Sequence, residues 1–459
     1  MNNKANKLIR NAIILLLAIL TANNVSAQET IKLTLKDAIN YALKANQDAR
    51  KARLDVENSE YQIDEVKSRA LPQINGSATI TNNPLLQLSA LPNIFGPNPN
   101  PNETILVAFG QKWATNAGLS LTQNLFDKSV LTGLGAAKTS REFYKLSAKL
   151  TEEQVIEQVA TNYYQVLVQR QQIGVIDSTI SNTTRVQRIL RGQYDNGLAK
   201  KIDVDRISVS ISNLNSRRQQ LVNSVMLLEN QLKFFMGMPI PTPISIPDAS
   251  LDSIQPQAVA ITDVVNVDNR IEYQLLRSQG DLLKFQKEAY RAEYYPNLSL
   301  SSNYSYQGTG QEFPLFKGQS SGINWFDAAS VSINLRVPIF NGFATRARIR
   351  QADIRILKLE EEKSQTALGL NLAYENAKTQ INNSIITLNS QKENMKLAQE
   401  VFFNTQNNYN NGLATLTDLL AAESSATEAN NNYSSALLNY KVSEVQLIKS
   451  QGQLTKLIN

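Results

Sequence analysis

The stretch YDNGLAKKIDV, residues 194–204, returns later in the chain as YNNGLATLTDLL, residues 409–420. Both contain the phrase Tyr-x-Asn-Gly-Leu-Ala, and in both an Asp lies six residues after the glycine. A helix can end at Asn-Gly, because glycine readily adopts the left-handed conformation that closes a helix C-terminus. A second helix starts soon after each phrase, so we predict two helical hairpins with these phrases as their tips.

Each tip carries an acid at the start of its second helix. Thr415 and Asp418 match a capping box, and Asp203 places a carboxylate near the positive end of the other helix. Leu198 and Leu413 are apolar residues at ends that should face water, which favours a docking surface over a plain αα-turn. The predicted docking residues are Asn196, Gly197, Leu198, Ala199, Asn411, Gly412, Leu413 and Ala414.

The chain reads as two halves with the same order of elements, which indicates an internal duplication. Phe126 and Phe340 are 214 residues apart and the tip tyrosines 215, so one insertion reconciles the halves. A run of prolines between them cannot be helical, because proline lacks the backbone donor and clashes with the preceding turn. The predicted segments are a signal peptide at 1–27, a first repeat at 28–236, a connector at 237–260 and a second repeat at 261–459. Each repeat holds a helix, two strands (within 73–125 and 297–340) and a long hairpin with its tip at 194–204 or 409–420.

Four stretches alternate apolar and small polar residues, the pattern of a β-strand with two different faces. They are residues 73–81, 116–122, 298–306 and 330–337. In the last of them, Val331, Ile333 and Leu335 share one face, and serine or asparagine occupies the other. A half-exposed sheet of a soluble protein would show the same alternation, so the strands alone do not decide the class of protein.

Two very long predicted helices argue against an ordinary compact soluble protein. Residues 128–195 and 344–410 contain no proline and few glycines, and helices of that length measure about 100 Å. Compact domains do not need such rods. The last helix repeats small and apolar residues at three- and four-residue spacings, which predicts a coiled coil with closely packed neighbours. That seam consists of Leu419, Ala422, Ala426, Ala429, Tyr433, Ala436, Tyr440, Ser443 and Leu447.

The N-terminus resembles a secretory signal. A basic start is followed by the apolar run 12–20 and by the small residues Val25, Ser26 and Ala27, a pattern typical of signal-peptidase cleavage. Removing 1–27 leaves 43 basic and 40 acidic residues, because the 46 basic residues include three in the signal and the 40 acidic ones none. This near-neutral balance argues against a nucleic-acid partner.

The chain contains no Cys and no His, which removes the disulfide scaffold, the usual general base and the commonest metal ligand. Residues 318–322 match Gly-x-Ser-x-Gly, but they lie in a predicted loop, and that nucleophile needs a histidine base. A phosphate-binding loop is missing as well. We therefore expect no enzyme activity, no cofactor and no bound metal, and energy for any transport must come from a partner.

Four strands cannot close a barrel, and lipid does not tolerate open sheet edges. If the strands span a membrane, several chains must share one barrel. The predicted loops 82–112 and 307–329 are long and rich in Asn, Pro, Gly and Ser, which suits the outer mouth of such a barrel.

Several motifs together resemble the TolC-type outer-membrane efflux family. They are the Leu33–Leu43 pattern LTLKDAINYAL, Leu71-Pro72, Val337-Pro338-Ile339-Phe340 and both tips. The resemblance covers essentially the whole mature chain. It implies a mainly α fold with a membrane β-barrel: a homotrimer with a shared twelve-stranded barrel and an α-helical barrel in the periplasm. It also implies contact with outer-membrane lipid, docking of the tips on a periplasmic adaptor (membrane fusion) protein, and coupling to an inner-membrane pump of the RND or ABC type.

The resemblance further implies that the tips close the periplasmic end of the tunnel. By position, the gate residues are Asp203, Tyr409 and Asp418. Some relatives place a second acid and a basic partner where this chain has Ala421 and Ala414, so its constriction should carry less charge.

The leading interpretation is a passive outer-membrane channel of a tripartite efflux or secretion system. The alternative is a secreted or surface trimeric coiled-coil protein with a structural or adhesive role. The alternating strands distinguish the two, because only the channel needs them in lipid.

Overall fold

The computed structural model describes residues 31–94, 99–247, 266–315 and 319–458. The predicted signal peptide and residues 248–260 of the predicted connector lie outside them. The described residues form two compact units. The helix unit comprises residues up to Arg53, Ala148–Glu272 and those from Thr366 onward, and the sheet unit comprises Leu54–Ser147 and Tyr273–Gln365.

Seven α-helices account for most of the described chain, as the resemblance implies. They are α1 (Leu35–Ala45), α2 (Gln47–Ser68), α3 (Lys128–Asp195), α4 (Lys201–Met236), α5 (Ile271–Ala292), α6 (Ala344–Asn410) and α7 (Leu416–Ser450). The two predicted long helices are α3 and α6, and each contributes residues to both units. Within the described ranges, no helix is both long enough and apolar enough to cross a membrane.

The predicted first helix is two helices, because Asn46 interrupts it. Its backbone leaves the helical conformation (φ −59°, ψ 133°), and its side-chain oxygen accepts hydrogen bonds from the Asp48 and Ala49 amides at 2.8 and 3.1 Å. Asparagine competes in this way with regular helix hydrogen bonds. The Asn46 side-chain nitrogen also donates to the Phe235 carbonyl oxygen at 2.8 Å and so fixes the break against α4.

The coiled-coil seam of α7 lies in the core of the helix unit. All nine residues of the predicted seam are buried except Ala429, which is half-buried. Buried residues of α3, α6 and α7 pack together in one cluster, and Ser384 and Ser443 are hydrogen-bonded across α6 and α7 at 3.1 Å.

Eight β-strands occur in the described residues. They are β1 (Ile31–Lys32), β2 (Gln73–Asn82), β3 (Leu88–Asn93), β4 (Asn100–Ala108), β5 (Trp113–Phe126), β6 (Ile244–Ser245), β7 (Asn297–Gly310) and β8 (Ile323–Arg336). Four of them, β2, β5, β7 and β8, contain the four predicted strands, except that the predicted 330–337 extends one residue beyond β8. They form one antiparallel sheet in that order, with β2 and β8 at its edges.

The strand register brings most of the apolar residues of all four strands onto one face. Gly76 pairs with Leu119, Leu119 pairs with Tyr304, and Tyr304 pairs with Ala329. Paired residues point to the same side of a sheet, so the opposite face carries mainly serine, threonine and asparagine, with Phe326 as its one aromatic residue in the four strands. All four connections to helices leave from one end of this sheet, and the two long loops join strands at the other end.

Both predicted loops contain strand residues. Loop 82–112 holds a two-stranded antiparallel sheet, and the predicted loop 307–329 was too long, because β7 continues to Gly310 and β8 begins at Ile323. β3 and β4 pair from Leu88 with Ala108 through Pro92 with Thr104. Prolines and asparagines in and around these strands interrupt the alternation of apolar and polar residues that is typical of a strand. The connector also contains a short strand, since β6 pairs in parallel with β1.

Candidate functional site at the hairpin tips

The first tip is a helix C-terminus closed by glycine. The Gly197 amide donates to the Tyr194 carbonyl oxygen at 2.9 Å, and the Leu198 amide donates to the Gln193 carbonyl oxygen at 2.8 Å. Gly197 has φ +77°, and this pair of bonds is the Schellman motif. The Asn196 side chain adds a 2.7 Å bond to the Gly192 carbonyl oxygen, which explains the Asn-Gly order.

The second tip repeats this geometry. Gly412 has φ +75°, its amide donates to the Tyr409 carbonyl oxygen at 3.0 Å, and the Leu413 amide donates to the Asn408 carbonyl oxygen at 2.8 Å. The Asn411 side chain donates to the Asn407 carbonyl oxygen at 2.9 Å. The repeated phrase therefore encodes a repeated local structure.

The two tips lie side by side above one apolar cluster, which we call the tip cluster. It consists of Val186, Leu190, Val204, Ile207, Leu416 and Leu419, all buried, and so joins both hairpins. Ala199 packs partly against it, and Ala414 is half-buried. Leu198 and Leu413 behave differently, because 80% and 78% of their surfaces are exposed. Two large apolar side chains at neighbouring exposed turns form a candidate contact surface.

Two of the three predicted gate residues come together. Burial raises the pKa of the Tyr409 hydroxyl, and the nearby negative charge of Asp203 raises it further. Asp203 is half-buried and lies in the first turn of α4. Its carboxylate is 3.9 Å from the Arg206 guanidinium, which also donates to the Thr417 hydroxyl of the other hairpin at 3.5 Å. Asp203 thus belongs to a polar contact between the tips.

Asp418, the third predicted gate residue, caps α7. Its carboxylate accepts bonds from the Thr415 hydroxyl at 2.7 Å and the Thr415 amide at 3.0 Å, and the Asp418 amide donates back to the Thr415 hydroxyl at 3.2 Å. The hydroxyl bond, followed by the backbone bond, lowers the pKa of the exposed Asp418 carboxyl. The predicted capping box is therefore present. The first hairpin differs, because the side chain of Lys200, at the equivalent N-cap position, makes no capping hydrogen bond to α4.

Thr183 and Glu423 form a buried polar link that the sequence patterns did not reveal. Their side chains are hydrogen-bonded across α3 and α7, and both residues are more than nine-tenths buried. Burial raises the pKa of Glu423, and the hydroxyl of Thr183 only partly offsets this. A glutamate on a long polar helix gives no sequence signal for such a link, because its partner is 240 residues away.

The sheet has the features of a membrane strand assembly. Its apolar face carries aromatic residues near the loop end, where the rings of Tyr306 and Trp325 stack with centroids 5.0 Å apart. At the other end of the sheet, where the helices connect, Phe340 and Phe343 follow β8, and their rings contact edge to face with centroids 5.4 Å apart. Aromatic residues at both ends of an apolar band are typical of outer-membrane strands. Together with the long helical hairpins, they define a class: an outer-membrane channel with a periplasmic helical part.

Comparison with known proteins agrees with this class. The model of the family described as "Outer membrane efflux protein" matches residues 38–237 and 281–453, so the chain belongs to that family. The outer membrane protein TolC of Escherichia coli is 22% identical over 424 residues, covering 90% of this chain and 80% of TolC. The probable outer membrane lipoprotein SilC of Salmonella typhimurium is 22% identical over 433 residues, covering 90% and 84%.

Solved structures show the same fold. The outer membrane protein VceC of Vibrio cholerae superposes with a TM-score of 0.66 at 16% identity, covering 91% of this chain and 96% of VceC. The open state of the Neisseria gonorrhoeae MtrE outer membrane channel gives 0.67 at 17% identity, covering 92% and 89%. This protein is an outer-membrane channel of an efflux or secretion system, with its strands in the outer membrane and its helical part in the periplasm.

Proposed function

We propose that three copies of the chain form one continuous passive duct. The observation that carries this is the four-stranded sheet, which is apolar on one face and ends in the two edge strands β2 and β8. Unpaired edges cannot face lipid, and a barrel needs about eight or more strands. Three sheets joined β2 to β8 make a twelve-stranded barrel with its apolar face outward. The duct performs no catalysis, and the halves 28–236 and 261–459 supply equivalent parts of its wall.

The hairpin tips bind a periplasmic adaptor protein. Leu198 and Leu413 are exposed on rigid glycine-closed turns, and each could bury most of a leucine side chain against a partner, worth about 1.5–3 kcal/mol. The tip cluster beneath them keeps the two turns in fixed relation. The adaptor links the duct to an inner-membrane pump, of the RND or ABC type, which supplies the energy for export.

Cysteine crosslinking tests the docking surface directly, because the natural chain contains no cysteine. We expect Leu198→Cys and Leu413→Cys, carrying a photoactivatable thiol reagent in intact cells, to capture one common periplasmic protein. Ser216→Cys, exposed in the middle of α4, is the matched control and should not capture it. Equal capture from Ser216→Cys, or no capture from either tip, contradicts docking at the tips.

We also propose that Asp203, Tyr409 and Asp418 line the periplasmic gate, where three copies of each carboxylate make a ring that favours cations. Asp418→Asn removes the charge but keeps an oxygen that can accept the Thr415 bonds. We expect weaker block by divalent cations in planar bilayers and a changed single-channel conductance. If both quantities match the wild type, Asp418 acts only as a helix cap.

A further inference from the structure

The polar face of the sheet is almost without charge. Along the four strands it carries mostly serine, threonine, asparagine, glutamine and glycine, with the uncharged residues Ala114, Phe326 and Ala328 among them. The strands β2, β5, β7 and β8 contain only two charged residues, Asp327 and Arg336, both on β8. The position of these two residues therefore decides the electrostatics of any pore that the polar face lines.

The two charges lie on opposite faces and at opposite ends. Asp327 pairs with Tyr306 on the apolar face, towards the loop end. Arg336 pairs with Asn297 at the helix end. Arg336 shares its face with Asn334, whose side chain donates to the Ser301 hydroxyl at 3.0 Å across the polar face. Arg336 is exposed, so its guanidinium is available to the space that this face lines.

Asp127 bonds to the strand residue that pairs with Arg336, and its charge is already engaged. The Asp127 carboxylate accepts a bond from the Asn297 side chain at 3.1 Å. Its other oxygen accepts bonds from the Ser129 amide at 2.8 Å and the Ser129 hydroxyl at 2.6 Å, at the N-terminus of α3. The positive end of that helix offsets the carboxylate charge, whereas Arg336 has no such compensation from its own strand.

We propose that Arg336 determines the charge preference of the outer-membrane part of the duct. Three copies form a cationic ring at the helix end of an otherwise uncharged barrel wall. The ring raises the local concentration of anionic cargo and lowers that of cations as cargo enters the barrel. This proposal rests on the proposed function, because it requires the polar face to be the inner wall of a three-chain barrel.

The ring acts close to the wall. Asn334 lies two residues from Arg336 on the same face, about 7 Å along the strand. Charges at that distance are within one Debye length in physiological salt, so each Arg336 changes the concentration of a monovalent ion at the neighbouring Asn334 position by about 1.5-fold to threefold.

Thiol chemistry from outside the cell tests this assignment independently of the periplasmic gate. The Asn334→Cys variant is treated, as the trimer in intact cells, with a negatively and a positively charged membrane-impermeant methanethiosulfonate, and the two rates are compared. We expect the ratio of anionic to cationic rates to fall about threefold or more when Arg336→Gln is added. Arg336→Lys keeps the charge and should keep the ratio.

The Leu335→Cys variant, altered one residue away on the apolar face, separates failure of this proposal from failure of the barrel. We expect it not to react, because its thiol faces lipid. If the Asn334→Cys variant reacts, the Leu335→Cys variant does not, and Arg336→Gln leaves the ratio unchanged, the ring is wrong and the barrel stands. If the Leu335→Cys variant reacts instead of the Asn334→Cys variant, the proposed orientation of the sheet is wrong, and the ring falls with it.

Discussion

Replacing Glu423 by glutamine should stabilise the tip region in a pH-dependent way. The Thr183 hydroxyl has one proton and two neighbours: the Glu423 carboxyl group and the Thr179 carbonyl oxygen, which is 2.9 Å away. Both hydrogen bonds exist together only if Glu423 is protonated and donates to Thr183, while Thr183 donates to Thr179. When Glu423 is ionised, the Thr183 hydroxyl can donate its one proton to either the Glu423 carboxylate or the Thr179 carbonyl oxygen, but not to both. Glutamine, in contrast, donates to Thr183 through its amide at every pH.

The expected size follows from that single bond. One intramolecular hydrogen bond contributes about 0.5–1.5 kcal/mol, so Glu423→Gln should gain about 1 kcal/mol over the wild type where Glu423 is ionised. Burial raises the pKa of Glu423, so the folded state holds this proton more tightly than the unfolded state. Wild-type stability from this site is therefore intact below the unfolded-state glutamate pKa of about 4.3 and declines as the pH rises through the folded pKa.

The assay is the unfolding midpoint of the purified protein in detergent between about pH 3 and 8.5. The heating rate is fixed because large membrane proteins unfold irreversibly. We expect equal midpoints for Glu423→Gln and wild type at the acidic end and a growing advantage of the variant above it. Glu428→Gln, an exposed neighbour on α7, is the control and should show no such trend. The hydrogen-bond argument is refuted if the variant is less stable than wild type at high pH, or if the difference between their midpoints does not change with pH.

Two pairs of glycine substitutions test the backbone arguments. Gly412→Ala should destabilise the second tip by about 1–2 kcal/mol through its left-handed backbone, since an added Cβ meets open space, whereas Gly369→Ala, equally open but inside α6, should stabilise by about 0.5–1 kcal/mol. Hydrogen exchange of the tip amides distinguishes them, and equal protection in both variants contradicts the capping argument. Gly118→Ala should loosen the barrel, because its Cβ would lie 2.8 Å from the Tyr304 carbonyl oxygen on β7, whereas Gly76→Ala makes only an ordinary 3.6 Å contact. The temperature at which SDS dissociates the assembled protein should drop for Gly118→Ala and stay unchanged for Gly76→Ala.

Much of this fold is visible in the sequence because its periodicities are simple. Alternation with a period of two marks strands, and uninterrupted polar stretches with three- and four-residue spacing mark the long helices. The tips can be recognised in the sequence because Asn-Gly is a signal for the end of a helix. The left-handed backbone angles of Gly197 and Gly412 confirm this role. The capping box at Thr415 follows from residue types alone.

What the sequence did not reveal depends on partners that are distant in the chain. The break at Asn46 is fixed by a bond to Phe235, 189 residues away. The Thr183–Glu423 link is equally remote, and its buried carboxyl looks like any surface glutamate until α3 and α7 are packed together. β3 and β4 were missed because prolines and asparagines dominate the local composition. Docking at Leu198 and Leu413 and the gate roles stay predictions, since both concern contacts beyond one chain.

The central claim is that each chain supplies four strands to one barrel shared by three copies. The most direct test is the mass of the protein extracted from outer membranes, measured by native mass spectrometry after release from detergent. The account predicts a single species of three mature chains that forms ion-conducting pores when returned to a bilayer. A monomer that stays soluble without detergent would contradict it.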